Sequence, residues 1–217
     1  VISLKDLIIV GAGGFGRELL QWVKDINYRI ENTDEKWNIL GFIDDDPNAL
    51  EGYACDYGVI GRIRDWIPKE GQRYAMAIAN PSIKEQVANM LKTRGAVFAR
   101  IVHPTASISD YADVGEGLVM YPNSLISVNT KIGDFVTLLS SSVGHDAEIG
   151  DYCTISSYCD ITGGVKLEER VFLGSHAAIV PRRRIKKDAY VAAGSVVVSN
   201  VKDNARVMGN PAVRMDF

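Results

Sequence analysis

Branched aliphatic residues return at every sixth position from Val143 to Val197: Val143, Ile149, Ile155, Ile161, Leu167, Leu173, Ile179, Ile185, Val191 and Val197. Helices repeat their apolar face about every 3.6 residues and half-buried strands about every 2, so neither gives this period. Six-residue repeats predict a parallel β-helix, each repeat supplying a short strand and a turn, with three repeats closing a coil of about 18 residues. The beat extends upstream through Ile108, Val114, Met120, Ile126, Ile132 and Leu138, and one five-residue step, Leu138 to Val143, breaks its register. Polar residues fill the intervals, so one side of each strand is buried, and the segment predicts roughly five to six stacked coils. The beat fails by about Asn200, and the remainder reads as a short cap over otherwise open strand edges.

Residues 1–101 have a different pattern. Continuous apolar runs at 7–10, 39–43, 74–79 and 97–101 predict buried strands, and apolar three- and four-residue spacings at 17–26 and 83–94 predict helices. Ser82 or Asn80 can cap the second helix, and Pro81 suits its start. This order implies an open parallel sheet. The expected organisation is an α/β Rossmann-like unit over 1–101 and a β-helix over 102–217.

The chain has 217 residues, of which 47% are hydrophobic and 24% charged, which suits one large or two small globular domains. A net charge of −3 offers no basic field for nucleic acid. No stretch approaches the ~18 to 20 apolar residues of a membrane span, and no signal-peptide pattern is seen, so the expectation is a cytoplasmic protein without membrane insertion. Cys55, Cys153 and Cys159 have no metal spacing and are expected to be reduced.

Gly11-x-Gly13-x-x-Gly16 lies between a strand and a helix. Its glycines permit a tight turn or close approach of a phosphate to the helix N-terminus, and Asp44-Asp45 ends the next strand, where a ribose or base can be bound. Turn geometry alone is the other reading. No hydride-transfer domain follows, and the unit is too short for a full dinucleotide fold, which favours a mononucleotide or nucleotide sugar.

His145 follows the beat at Val143 by two positions, and Asp146 beside it can fix its tautomer and raise its basicity. His103 at the join reads as structural, and His176 fits either role. The long gaps between the three histidines leave no zinc site, and no metal is expected. Thr162-Gly163-Gly164 can present backbone N–H groups to an oxyanion or make a tight corner. The basic run from Arg182 to Lys187 is either a solvated face or a site for coenzyme phosphates.

Together, V-G-H-D-x-x-I-G-D and I-V-G-A-G-G-F-G-R-E resemble the bacterial hexapeptide-repeat sugar acetyltransferases. Sialic acid O-acetyltransferase, the UDP-4-amino-sugar N-acetyltransferases of bacillosamine synthesis and GDP-perosamine N-acetyltransferase are of this type. The resemblance covers almost the whole chain. It implies a left-handed β-helix, an exception to the usual crossover hand, a homotrimer, acetyl-CoA as co-substrate between neighbouring β-helices, and a sugar nucleotide held by the α/β unit over 1–101. His145 matches the general base, Asp146 its acidic helper, and Gly163 the N–H facing the thioester oxygen. Ser175, Ala193 and Gly194 match coenzyme-lining positions, with Arg182 in the basic run a further coenzyme candidate. Thr154 stands where relatives place a coenzyme-contacting histidine, which implies a weaker contact or none. Gly13, Gly14, Phe15, Asp44, Asp45, Ala79 and Ser82 match substrate-lining positions, and Phe15 replaces a histidine of the bacillosamine enzyme.

The resulting expectation is acetyl transfer from acetyl-CoA to the amine of a nucleotide-activated sugar in bacterial surface glycan biosynthesis. The alternatives are O-acetylation of the sialic acid type and a non-catalytic sugar-nucleotide-binding scaffold. Nucleotidyltransferases with a β-helix tail are excluded by the short first half and the type of its glycine loop.

Overall fold

In the computed structural model, which describes residues 5–32 and 36–215, the first part is a four-stranded parallel sheet. Its strands β1 (Lys5–Val10), β2 (Trp37–Ile43), β3 (Val59–Gly61) and β4 (Arg73–Met76) are ordered β3-β2-β1-β4. Helix α1 (Gly14–Arg29) buries Gly16, Leu19, Leu20 and Val23 against it, and α2 (Pro81–Thr93) is capped by Asn80, whose Oδ1 accepts from the Ile83 N–H at 3.1 Å. Strand β3 gave no sequence signal, being three residues long. The run at 97–101 does not add a sheet strand. Phe98 makes one bridge to Tyr74, while Ile101–Val102 pairs with Val119–Met120 and opens the next part.

That part is a left-handed β-helix whose two-residue strands point their second residue inward. The first face stacks seven parallel strands from Ile101–Val102 to Arg206–Met208, the second six from Ser107–Ile108 to Val196–Val197, and the third five from Asp113–Val114 to Arg184–Ile185. The beat residues from Ile126 to Val197 are at most 4% exposed and form one continuous core. Ile108 is exposed because its coil ends the stack. At the other end Val213–Arg214 runs antiparallel to Arg206–Met208 and makes the cap.

The corners share a second period. Tyr111, Asn123, Asn129, Phe135, Asp146, Tyr152 and Tyr158 all have φ near +60°, and Gly117, Gly164 and Gly194 fill the same slot. At the five-residue step the slot falls on Ser140, with φ 44°. Ser141 compensates for the shortened corner: its buried hydroxyl donates to Ser156 O at 2.7 Å or Leu139 O at 2.9 Å and accepts from Cys159 N–H. Pairing stays in register on both sides, Ser142 with Leu125 and with Asp160.

The first face carries the α/β unit. Lys84, fully buried on the stripe of α2 that includes Pro81, Ala88 and Leu91, extends its ammonium to Phe135 O, Thr137 Oγ1, Cys153 O and Thr154 Oγ1 at 2.8–3.1 Å. Burial pushes its pKa down to about 7 from 10.5. A folded pKa below the unfolded value means stability is gained above the unfolded pKa and lost as pH falls to the folded one. Lys84→Met is expected to destabilise the protein by on the order of 2–4 kcal/mol, since it strands buried carbonyls. Urea unfolding across pH 7 to 10 should show wild-type stability rising relative to the variant; parallel curves would refute this reading of Lys84.

Candidate active site

The second and third faces meet at the corner that carries His145 and Asp146. Asp146 occupies the left-handed slot, φ 59°, which turns its carboxylate back toward the preceding residue, and His145 Nδ1 lies 2.7 Å from Asp146 Oδ2. The pair is exposed, at 67% and 60% of the side chains, and Nε2 makes no hydrogen bond to a described residue. A carboxylate on Nδ1 fixes the tautomer that leaves Nε2 as proton acceptor.

Gly163 lies one coil above His145, since Val143 pairs with Ile161. A Cβ at Gly163 would stand 2.5 Å from His145 Nε2, so the imidazole packs directly on this glycine. Its neighbour Gly164 is a glycine for another reason: it fills the left-handed slot at φ 69° and donates its N–H to His145 O at 2.9 Å. The Gly163 N–H has no backbone acceptor among the described residues. Arg182 stacks on the same corner a further coil up, its N–H on Gly163 O. Arg184 pairs with Glu168 and Lys186 with Asp203, so part of the basic run is a charge-paired face.

Ser175, Ala193 and Gly194 lie on a different corner, between the first and second faces. On that corner, lower in the stack, Tyr121 and Leu139 form one wall of a cleft of about 620 Å³, with Gly14, Phe15, Glu18 and Ala79 opposite. The glycines of the loop separate into two kinds. Gly11 (φ 104°) and Gly16, where a Cβ would meet Gly11 O at 2.1 Å, are dictated by the turn and by helix–strand packing. Gly13 has nothing within 4 Å of a Cβ position, and Gly14 only Arg17 at 3.9 Å. No protein contact requires these two to be glycine, and both are exposed beside the unpaired N–H groups of α1.

Four residues matched to ligand-lining positions, Thr154, Asp44, Asp45 and Ser82, lie outside the cleft. Thr154 is fully buried on the first face beneath α2, its hydroxyl donating to Ala79 O at 2.7 Å and accepting from Lys84. It therefore has no surface for the coenzyme, and shapes the cleft only through Ala79. Asp44 accepts from the N–H groups of Ala12 (2.8 Å) and Asp46 (2.9 Å), while Asp45 accepts from the Arg64 N–H, which holds its carboxyl below the usual range. Both are occupied in fixing loops at the end of β2 and do not line the cleft. Ser82 faces a separate groove beside Arg170 and Tyr190.

Sequence reasoning missed Glu18 and Tyr121. Tyr121, 5% exposed, donates its hydroxyl to Glu18 Oε2 at 2.8 Å, with Phe15 and Trp22 packed on its ring. Burial first and the Glu18 carboxylate second push the phenol far above its usual pKa, so it remains a donor. Only the spacing of Phe15, Glu18 and Trp22 along one side of α1 signalled this. The thiols of Cys153 and Cys159 are buried and pushed up to about 12 and about 11, chiefly by burial, so neither serves as a nucleophile near neutrality.

Comparison with known proteins agrees with this architecture. Residues 6–91 match the PglD N-terminal domain family. GDP-perosamine N-acetyltransferase of Escherichia coli O157:H7 is 32% identical over 181 residues, covering 81% of this chain and 79% of that protein. WeeI from Acinetobacter baumannii AYE superposes with a TM-score of 0.83 at 28% identity, over 96% of this chain and 99% of its own. PerB from Caulobacter crescentus, in complex with CoA and GDP-perosamine, shares the fold over 100% of both chains with a TM-score of 0.84 at 24% identity. By this relationship the chain belongs to the bacterial hexapeptide-repeat sugar acetyltransferases, in the branch that carries a PglD-type N-terminal domain.

Proposed function

We propose that the protein transfers the acetyl group of acetyl-CoA to the amine of a nucleotide-activated amino sugar, in the cytoplasm, as a step of bacterial surface glycan biosynthesis. The observation that carries this reading is the His145–Asp146 pair, hydrogen-bonded at 2.7 Å and seated against Gly163 on an exposed corner. A binding scaffold has no use for a base with a fixed tautomer. The E. coli relative N-acetylates GDP-perosamine by its name, which favours an amine over a hydroxyl acceptor.

In this mechanism His145 Nε2 takes the proton from the sugar nitrogen as that nitrogen bonds to the thioester carbon. Asp146 stabilises the imidazolium, and the Gly163 N–H donates to the oxygen that becomes negative. Collapse expels CoA as the thiolate, which is protonated, leaving the amide. Arg182 stands on the corner where the coenzyme's anionic end would pass. Gly13 and Gly14 let the sugar nucleotide approach α1.

The same geometry supports a homotrimer. Leu139 in the cleft and His145 are six residues apart, an edge of at most about 20 Å, so one chain holds acceptor cleft and base at opposite ends of its second face. The coenzyme candidates divide likewise, Gly163 and Arg182 on one corner, Ser175, Ala193 and Gly194 on the other. The second face presents Ser107, Leu125, Ser142, Asp160, Ala178 and Val196, mostly uncharged, while the third presents the charged ladder of Asp113, Lys131, Glu148, Lys166 and Arg184, in which Lys166 pairs with Glu148. Packing the second face against a neighbour brings the two half-sites together.

With both solenoid thiols, Cys153 and Cys159, buried and His145 placed as a base, transfer is direct. Initial rates at varied acetyl-CoA and nucleotide amino sugar should give intersecting reciprocal plots, with no acetylated protein by mass spectrometry after incubation with acetyl-CoA alone. Parallel plots with a trapped acetyl-enzyme would sink the mechanism.

A further inference from the structure

The cleft contains one carboxylate, Glu18, which has no ion pair among the described residues, and its setting defines what it recognises. Glu18 sits on the first turns of α1, in a cleft whose apolar wall is Phe15, Ala79, Tyr121 and Leu139 and whose other polar side chains are Arg17 and Gln21. Tyr121 holds Oε2 at 2.8 Å, which fixes the carboxylate plane and leaves Oε1 without a hydrogen-bond partner among the described residues. Arg17 also lines the cleft, with its guanidinium stacked 3.6 Å above the Tyr53 ring rather than paired with Glu18. A carboxylate at a cleft wall, with one oxygen held by a buried phenol and the other free, is a receptor for a cationic hydrogen-bond donor.

Its position along the cleft says which part of the ligand that donor belongs to. The glycines that permit close approach, Gly13 and Gly14, are at the loop end, beside the N-terminus of α1. Glu18 is about one turn further along, where α1 meets the solenoid through Tyr121 and Leu139. On the reading that the cleft holds a sugar nucleotide, phosphates lie toward the loop and the sugar lies toward the solenoid, where acetyl transfer takes place.

We propose that Glu18, oriented by Tyr121, is the specificity-determining residue that binds the sugar's ammonium group and selects amino sugars over their hydroxyl counterparts. This inference rests on the proposed function and deepens it by naming the acceptor class. An ammonium offers donors and charge to Oε1, whereas a hydroxyl supplies one neutral donor. Charged hydrogen bonds carry enough additional energy to separate the two by roughly 10- to 100-fold in affinity. The ammonium loses one proton to solvent before attack and the second to His145 as the nitrogen bonds to the thioester carbon, so Glu18 serves recognition and His145 serves chemistry.

The test is calorimetric titration of the wild-type oligomer and of Glu18→Gln with GDP-perosamine and GDP-rhamnose, which differ by amine for hydroxyl at C4. The corresponding UDP-linked 4-amino and 4-hydroxy pair is run in parallel. Glutamine keeps an oxygen for Tyr121 and loses only the charge. The wild type should bind at least one amine at least about 10-fold more tightly than its hydroxyl partner. In the variant that ratio should collapse toward unity, with CoA affinity unchanged. A ratio that survives in Glu18→Gln, a wild type with no preference, or no binding of any of the four overturns the assignment. A Glu18-dependent preference without thiol release in the presence of acetyl-CoA would leave Glu18 in place and defeat the catalytic reading instead.

Discussion

His145→Ala is expected to lower kcat by about 10²-fold, the lower end of the 10²- to 10⁴-fold that general-base catalysis supplies. The lower end applies because the free amine is already a good nucleophile, whereas a hydroxyl acceptor would fall further. The assembly state and the acetyl-CoA KM should be retained, since His145 is exposed and its ring makes no hydrogen bond beyond that to the equally exposed Asp146. Steady-state kinetics beside sedimentation would check both. Unchanged turnover in an intact assembly would remove His145 from the mechanism.

Gly163→Ala should be almost as damaging, and it separates catalysis from packing. The new methyl would lie 2.5 Å from His145 Nε2, closer than carbon and nitrogen can approach, so the imidazole must swing away and its 2.7 Å bond to Asp146 must break or distort. Misplacement by about 1 Å can cost about 10²-fold, and the expected fall in kcat is 10- to 100-fold with little change in stability. Gly164→Ala is the control. It forces alanine into φ 69° with its Cβ 3.3 Å from Arg182 Cγ, away from the imidazole. That variant should lose about 1 kcal/mol of stability and keep most of its turnover. Equal kcat losses in both variants would mean that the glycine pair matters only as a turn.

The solenoid was legible because a six-residue period has one structural solution, and every beat from Ile126 to Val197 is inside. The His145–Asp146 pair was legible as a dipeptide. Its geometry was not, because it depends on the left-handed corner slot that tyrosine, asparagine and phenylalanine also fill. The α/β half was read correctly in order but not in extent. The run at 97–101 is apolar because it passes between two packed units, and apolarity alone cannot distinguish that from a sheet strand. Thr154 illustrates the limit of transferring roles by position. Its hydroxyl is taken by Lys84 and Ala79, and the signal for this lay elsewhere, in a lysine on the apolar stripe of α2. Glu18 was hidden for a similar reason, since its partner Tyr121 is 103 residues away.

The central claim is that this chain acetylates an amine on a nucleotide-linked sugar. The most direct measurement is thiol release from acetyl-CoA by the wild-type protein across UDP-, GDP-, dTDP- and CMP-linked amino sugars and their hydroxyl counterparts, with the product identified by mass and NMR. Saturable release with at least one amino sugar, one N-acetyl group formed per thiol and no release with its hydroxyl partner is the predicted result. Release with hydroxyl sugars alone, or with none of the panel, would contradict it.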